Sequence, residues 1–341
     1  MSRSRETWVV VPLVTMVFLG MLGLSRVAAD PGTAAVGAPE SAAAPRDPAT
    51  TPVDPVPAAT QSPESSPAPA VDEPATTEPK PTLPGGRTKI FGANRFLVAY
   101  YGSARTSALG VLGEDPPGRM IKRLREAAAK FETKRSKTQV VFELIVTVAD
   151  AYPGPDGDYA HDINRADVQR YIKAAHRYGA LVLLDIQPGR AGFLTAAKRW
   201  AWALKDPYVG LAIDPEWRMG RFAVPGQVIG SVNAAEVNRV TGWLSDLTKR
   251  HNLPQKLFVL HQFRTDMIND INDISPRRGL VMVQHVDGFG TPGQKLDTFR
   301  TVIKPHKFFL GFKLFYDEDR RLMRPREVRA IRPRVQFVSY Q

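Results

Sequence analysis

The chain has 341 residues with 29 prolines, no cysteine and a formal charge of +12, which excludes disulfides, thiolate metal sites and cysteine nucleophiles. Residues 30–88 hold eight acids and three basic residues, and residues 1–29 hold three Arg and one Glu, which leaves about +15 on residues 89–341. A basic domain of this kind favours anionic partners such as wall polymers, lipid headgroups or acidic glycans.

At the N-terminus, Arg3 and Arg5 precede an apolar run from Trp8 to Leu24, and Val27-Ala28-Ala29 supplies small residues where a signal peptidase cuts. Residues 1–29 are therefore expected to be a signal peptide or, because the run approaches a membrane span in length, an uncleaved N-terminal anchor. Either implies an extracellular or cell-surface location. Residues 30–88 read as a disordered Pro/Ala/Thr-rich linker, because the segment has almost no large apolar residues with which to offset its ordering entropy.

From residue 89 to 341, strand and helix patterns alternate. Apolar runs at Arg95–Gly102, Gln139–Asp150, Ala180–Gln187, Val209–Trp217, Lys256–Phe263, Leu280–Asp287, Phe308–Tyr316 and Val335–Tyr340 give eight strands. Between them, helical spacing covers Gly118–Glu132, Arg165–Tyr178, Phe193–Leu204, Ala234–Arg250, Asp266–Ile274, Gln294–Ile303 and Pro325–Ile331. Asn164 and Asn233 stand where N-caps belong, and Glu236 completes a capping box after Asn233. The pattern fits an α/β fold of the (β/α)8 TIM-type barrel class, with no glycine-rich dinucleotide fingerprint after the first strand.

Such barrels do their chemistry at strand C-termini. The polar residues there include Tyr101, Asp150, Asp185, Gln187, Asp214, Glu216, His261, Gln262, His285, Asp287, Lys313 and Tyr316, while Glu143 reads as an interior or bottom-face residue. The long loops after strands two and four carry Tyr152, Tyr159, His161 and Phe222, and the fourth strand ends in Trp217. Aromatic rings around a carboxylate-rich mouth suit sugars.

Glycoside hydrolysis needs an acid for the leaving oxygen and a second group across the sugar. Glu216 is the candidate acid, with Trp217 placed to desolvate it, and Asp214 shares its strand face by i,i+2 spacing as a supporting carboxylate. The opposing carboxylate is then expected from Asp185 or Asp287. Tyr101, Gln187, Trp217, His261, Gln262, Lys313 and Tyr316 are the candidate substrate-binding groups.

The Asp214-Pro-Glu216 ending resembles the strand-four acids of chitinase-like glycoside hydrolases, although the two earlier acids of that signature are replaced by Val209 and Ala212. A broader resemblance runs through Leu97–Gly102, Ala108–Glu114, Asp185–Arg190, Asp214–Trp217, Gly226–Ser231, His251–Lys256, Asp287–Gly290 and Gly311–Tyr316 to a group of secreted or surface-anchored actinobacterial single-barrel proteins. This resemblance implies export and one barrel domain and transfers no reaction.

Two alternatives stand beside a glycan-active enzyme. One is a non-catalytic barrel that binds cell wall or another anionic polymer, with its acids paired to Arg190, Arg218 or Lys313. The other is a metal-dependent hydrolase or phosphodiesterase, in which Asp185, Asp214, Glu216, His261 and Asp287 hold a divalent cation. No cofactor is otherwise expected, and no metal ligand is assigned. Nucleic acid is not an expected partner, because the basic clusters lack interleaved aromatics. Membrane contact is expected only through an uncleaved anchor, and the protein is expected to be a monomer.

Overall fold

The computed structural model describes residues 80–341; the expected signal or anchor and nearly all of the expected linker lie outside the described residues. Eight parallel strands close on themselves: β1 (Phe96–Ser103), β2 (Thr138–Ala149), β3 (Leu181–Ile186), β4 (Val209–Ile213), β5 (Lys256–Gln262), β6 (Leu280–Val286), β7 (Phe309–Leu314) and β8 (Val335–Tyr340). Each pairs with the next, and β1 pairs with both β2 and β8, so no barrel edge is left open. The helices α1 (Pro117–Ala129), α2 (Arg165–Tyr178), α3 (Phe193–Arg199), α4 (Ala201–Leu204), α5 (Ala234–Arg250), α6 (Pro292–Val302) and α7 (Pro325–Ala330) fill the connections. This is the TIM-type barrel that the alternation predicts.

Strand alternation sorts the side chains into two cores. Outward positions such as Phe96, Val98, Phe142, Leu184, Leu211 and Phe258 pack on the helices. Inward positions in the lower barrel, Leu97, Ala99, Val141, Leu183, Ala212, Val259, Val283 and Phe337, form a separate apolar cluster. Leu83 and Ile90 join this inner cluster and close the base, so the last residues before the barrel sequence form part of its core.

Both N-caps form, but the Glu236 half of the expected capping box does not: its carboxylate accepts from Phe193 N–H and Arg218 Nε instead. Asn164 accepts from Ala166 N–H at the start of α2, and Asn233 accepts from Glu236 N–H at the start of α5. Between β5 and β6 the expected helix over 266–274 is replaced by two 3₁₀ turns, Thr265–Met267 and Ile271–Asp273, flanking a two-residue strand, Ile268–Asn269. Asp270 sits in the left-handed region at φ 55°. Asn and Asp, four of the five residues from Asn269 to Asp273, are poor helix formers, and apolar spacing alone does not overcome that. The short strand pairs with Val232–Asn233 instead, tying the long loop after β4 to the segment after β5.

Candidate active site

A second correction concerns β4. The strand ends at Ile213 with Asp214 still extended, and Pro215–Trp217 form a 3₁₀ turn, so Asp214 and Glu216 do not share a strand face. Pro215 has no N–H to continue the ladder and its φ suits the first position of a helical turn. Asp214 then acts as the cap: its carboxylate accepts from Glu216 N–H at 3.1 Å. Asp214 is buried, whereas Glu216 and Trp217 keep partial exposure at the rim.

Below this turn the upper half of the barrel interior is charged. Asp287, just past β6, accepts from Nδ1 of His261 at 2.7 Å, from Nδ1 of His285 at 2.7 Å and from Lys313 Nζ at 3.3 Å. His285 Nε2 meets Ser339 Oγ at 3.2 Å, and His261 Nε2 lies 3.4 Å from Glu143 Oε1 and 3.8 Å from Asp185 Oδ1. Tyr101 donates its hydroxyl to Asp185 at 2.8 Å and itself accepts from Gln187 at 3.2 Å. Lys313 Nζ also stands 3.5 Å from the centre of the Tyr101 ring. Glycine makes room for this network: a Cβ at Gly311 of β7 would run into the His285 ring.

The network splits its acids into two states. Burial raises the pKa of Glu216 to about 7, with the charge of Asp287 adding to the rise and Lys313 and His261 opposing it. Burial also pushes Asp214 well above the usual carboxylate range, and it raises Asp185. Asp287 goes the other way. Burial would raise it, but the charges of His261 and Lys313 and its hydrogen bonds from both histidines hold it well below the usual range. Burial likewise opposes charge on His261 and Lys313, yet Asp287 and the neighbouring acids keep the pKa of both raised. Glu143 is lowered against its burial by His261 and His285, although neither of its oxygens has an aligned hydrogen-bond donor.

The structure thus brings together Glu216, Asp214, Asp185, Asp287, Tyr101, Gln187, His261 and Lys313. Two expected residues lie apart. Gln262 points outward, where its Oε1 accepts from Gln284 at 2.6 Å. Tyr316 stacks on Tyr340 with ring centres 5.1 Å apart and meets the Tyr100 hydroxyl at 3.4 Å, outside the charged interior. Glu143, His285 and Ser339 enter the network without having been singled out as site residues. Their signal was strand parity, since each shares the inward face with a recognised interior neighbour.

His261, His285 and Asp287 place candidate metal-ligand atoms within 4.8 Å of one another, but both Nδ1 atoms are already bonded to Asp287. Of the expected basic partners, Lys313 pairs with Asp287, while Arg218 pairs with Glu236 at 3.2 Å and Arg190 covers the Tyr159 ring at 4.0 Å.

No family model and no curated protein matches the chain. Among solved structures it is similar to a GH5-4 broad-specificity endoglucanase from Clostridium acetobutylicum, at 10% identity over 63% of this chain and 76% of that one, with a TM-score of 0.36. A trimodular GH5_4 endoglucanase is similar at 11% identity and TM-score 0.43 over 72% of this chain and 55% of that one. ZgEngAGH5_4 in complex with a cellotriose is similar at 13% identity and TM-score 0.40, over 72% of this chain and 86% of that one. At these values the likenesses add nothing to the barrel plan already given by the strand order.

Proposed function

We propose that the protein is an exported, glycan-active barrel of glycoside hydrolase-like type. Glu216 serves as the general acid, Asp214 fixes the turn that carries it, and Asp287 supplies the ionised carboxylate that stabilises positive charge developing on the sugar. One feature carries this reading: the charge of Asp287 adds to the rise in the Glu216 pKa, while three hydrogen-bond donors hold Asp287 itself ionised, so the two are driven in opposite directions. A proton donor and a charge stabiliser in one site require that separation. Partly exposed Trp217, and Phe222 at 86% exposure, offer apolar surface at the rim for a sugar face.

Replacing Glu216 by Gln is expected to lower release of reducing ends from a purified wall glycan by roughly 100-fold or more, with the thermal transition retained. Release at the wild-type rate would remove Glu216 from this role. The pairing of Asp287 with His261, His285 and Lys313 favours a second reading, a non-catalytic glycan-binding barrel. It predicts glycan binding that survives the Gln substitution, with no turnover in either protein.

A further inference from the structure

The domain's charge excess sits at one end. The eight segments that lead into the barrel strands, residues 80–95, 130–137, 177–180, 205–208, 249–255, 275–279, 303–308 and 331–334, hold 18 Lys and Arg and only two acids, Glu132 and Asp206. The segments that leave the strands at the mouth, residues 104–116, 150–164, 187–192, 214–233, 263–274, 287–291 and 315–324, hold eight Lys and Arg and 15 acids. Helix dipoles favour cations at helix C-termini, which face the base, but only Arg177, Lys249 and Arg250 of the 18 lie in a last helical turn. Lys130 and Lys205 are C-cap residues of α1 and α4 and share that cause; the other 13 lie in neither position.

Nor is the base neutralised from within. Among the described residues, Lys137 is the only one of these 18 with a carboxylate in ion-pair range, Glu132 at 3.1 Å. Repulsion is felt inside the set: burial lowers the pKa of Arg87, and the charge of Arg95 lowers it further. A surface that concentrates like charge in this way is a footprint for a polyanion.

The shape of the base and its apolar content distinguish between polyanions. Phe309, the first residue of β7, shares strand parity with inward-facing Gly311 and Lys313 and so stands inside the lower rim. It is 42% exposed, with its ring 4.8 Å from that of Phe91. An aromatic pair within a ring of cations suits a bilayer interface, where the rings enter the headgroup layer and the cations meet anionic lipid. A chain-like wall polymer would instead need a groove. One of about 450 Å³ exists beside Arg95, Arg125, Glu132 and Tyr178, but it borders only three of the eight basic segments. The chain also joins the barrel at this end, through Leu83 and Ile90.

We propose that the base of the barrel docks on an anionic lipid surface, leaving the mouth turned away from the bilayer. The contact is peripheral, since no helix among the described residues is long and apolar enough to cross a membrane. The inference is independent of the reading of the mouth.

Vesicle flotation of the full-length protein tests it, with phosphatidylcholine compared against equimolar phosphatidylcholine and phosphatidylglycerol. Insertion of the N-terminal apolar run contributes to both mixtures, so the readout is the ratio of anionic to neutral binding. That ratio is expected to be well above one and to fall with salt. Each cation near such a surface changes binding about five-fold. Lys89→Glu, Lys134→Glu, Arg250→Glu and Arg278→Glu combined, all at exposed positions, should therefore lower the ratio on the order of a hundredfold or more while the thermal transition persists. Phe309→Ser should lower it severalfold. An unchanged ratio in the charge-reversed protein overturns the proposal. So does a ratio that soluble poly(glycerol phosphate) abolishes but Phe309→Ser leaves intact, which would assign the base to a wall polymer.

Discussion

Glu216 and Asp287 show how one interior holds two carboxyl groups in opposite states. Glu216 has few direct partners and desolvation dominates it, whereas Asp287 collects three donors that outweigh its own burial. The acid must carry its proton, so glycan turnover is expected to fall as pH rises through about 7, with Asp287 ionised throughout that range. Stability follows the same linkage. A carboxyl whose folded pKa is raised binds more protons folded than unfolded, so its contribution is present at low pH and is lost between the unfolded value and the folded one. The melting temperature should therefore decline from about pH 4.5 to about pH 7, and the decline should be smaller in Glu216→Gln when measured across the same buffers. Lys313→Met would leave Asp287 short of a buried counter-charge and is expected to cost about 3 to 5 kcal/mol in urea denaturation. The residue types at the mouth were legible because each ends a strand. Which of them would be charged was not, since that depends on donors from β5, β6 and β7 meeting at Asp287.

At the level of elements, the stretch from Val209 to Trp217 carries the main revision. Alternation along one strand would place Asp214 and Glu216 as equals on one face, but Pro215 ends the ladder and converts Asp214 into the cap of a turn that presents Glu216. The turn is held from outside by Gly230, whose N–H donates to Glu216 O at 2.7 Å. A Cβ at Gly230 would lie 2.6 Å from the carbonyl oxygens of both Arg218 and Pro215 and 2.7 Å from that of Glu216. Gly230→Ala should therefore displace the turn and lower turnover at least tenfold, with a smaller fractional effect on melting temperature. If turnover tracks only the loss of folded protein, the loop does not position Glu216. The segment between β5 and β6 makes the complementary point. Its apolar spacing resembles a helix, but Asn269, Asp270, Asn272 and Asp273 favour turns, and pairing with Val232–Asn233 offers the backbone another set of partners. Its amides are expected to exchange with solvent faster than those of the helical connections.

Over the whole molecule the barrel is stratified along its axis: an apolar lower interior, a charged upper interior, a basic base and an acid-rich mouth. The lower interior depends on a plug from before β1. Leu83 is 1% exposed among Leu97, Leu181, Leu257 and Val281, and Leu83→Ala is expected to cost about 2 to 4 kcal/mol of unfolding free energy, read by denaturant titration. The sequence by itself determined the strand and helix alternation, the barrel class, the caps at Asn164 and Asn233, and the gathering of polar residues at one end, because all of these follow from local periodicity and terminal chemistry. The tertiary structure alone decided that Gln262 and Tyr316 stand outside the charged interior and that His261, His285 and Lys313 converge on Asp287. Those outcomes depend on strand register and on low-dielectric coupling between residues far apart in the chain. Neither is encoded in any short window of residues.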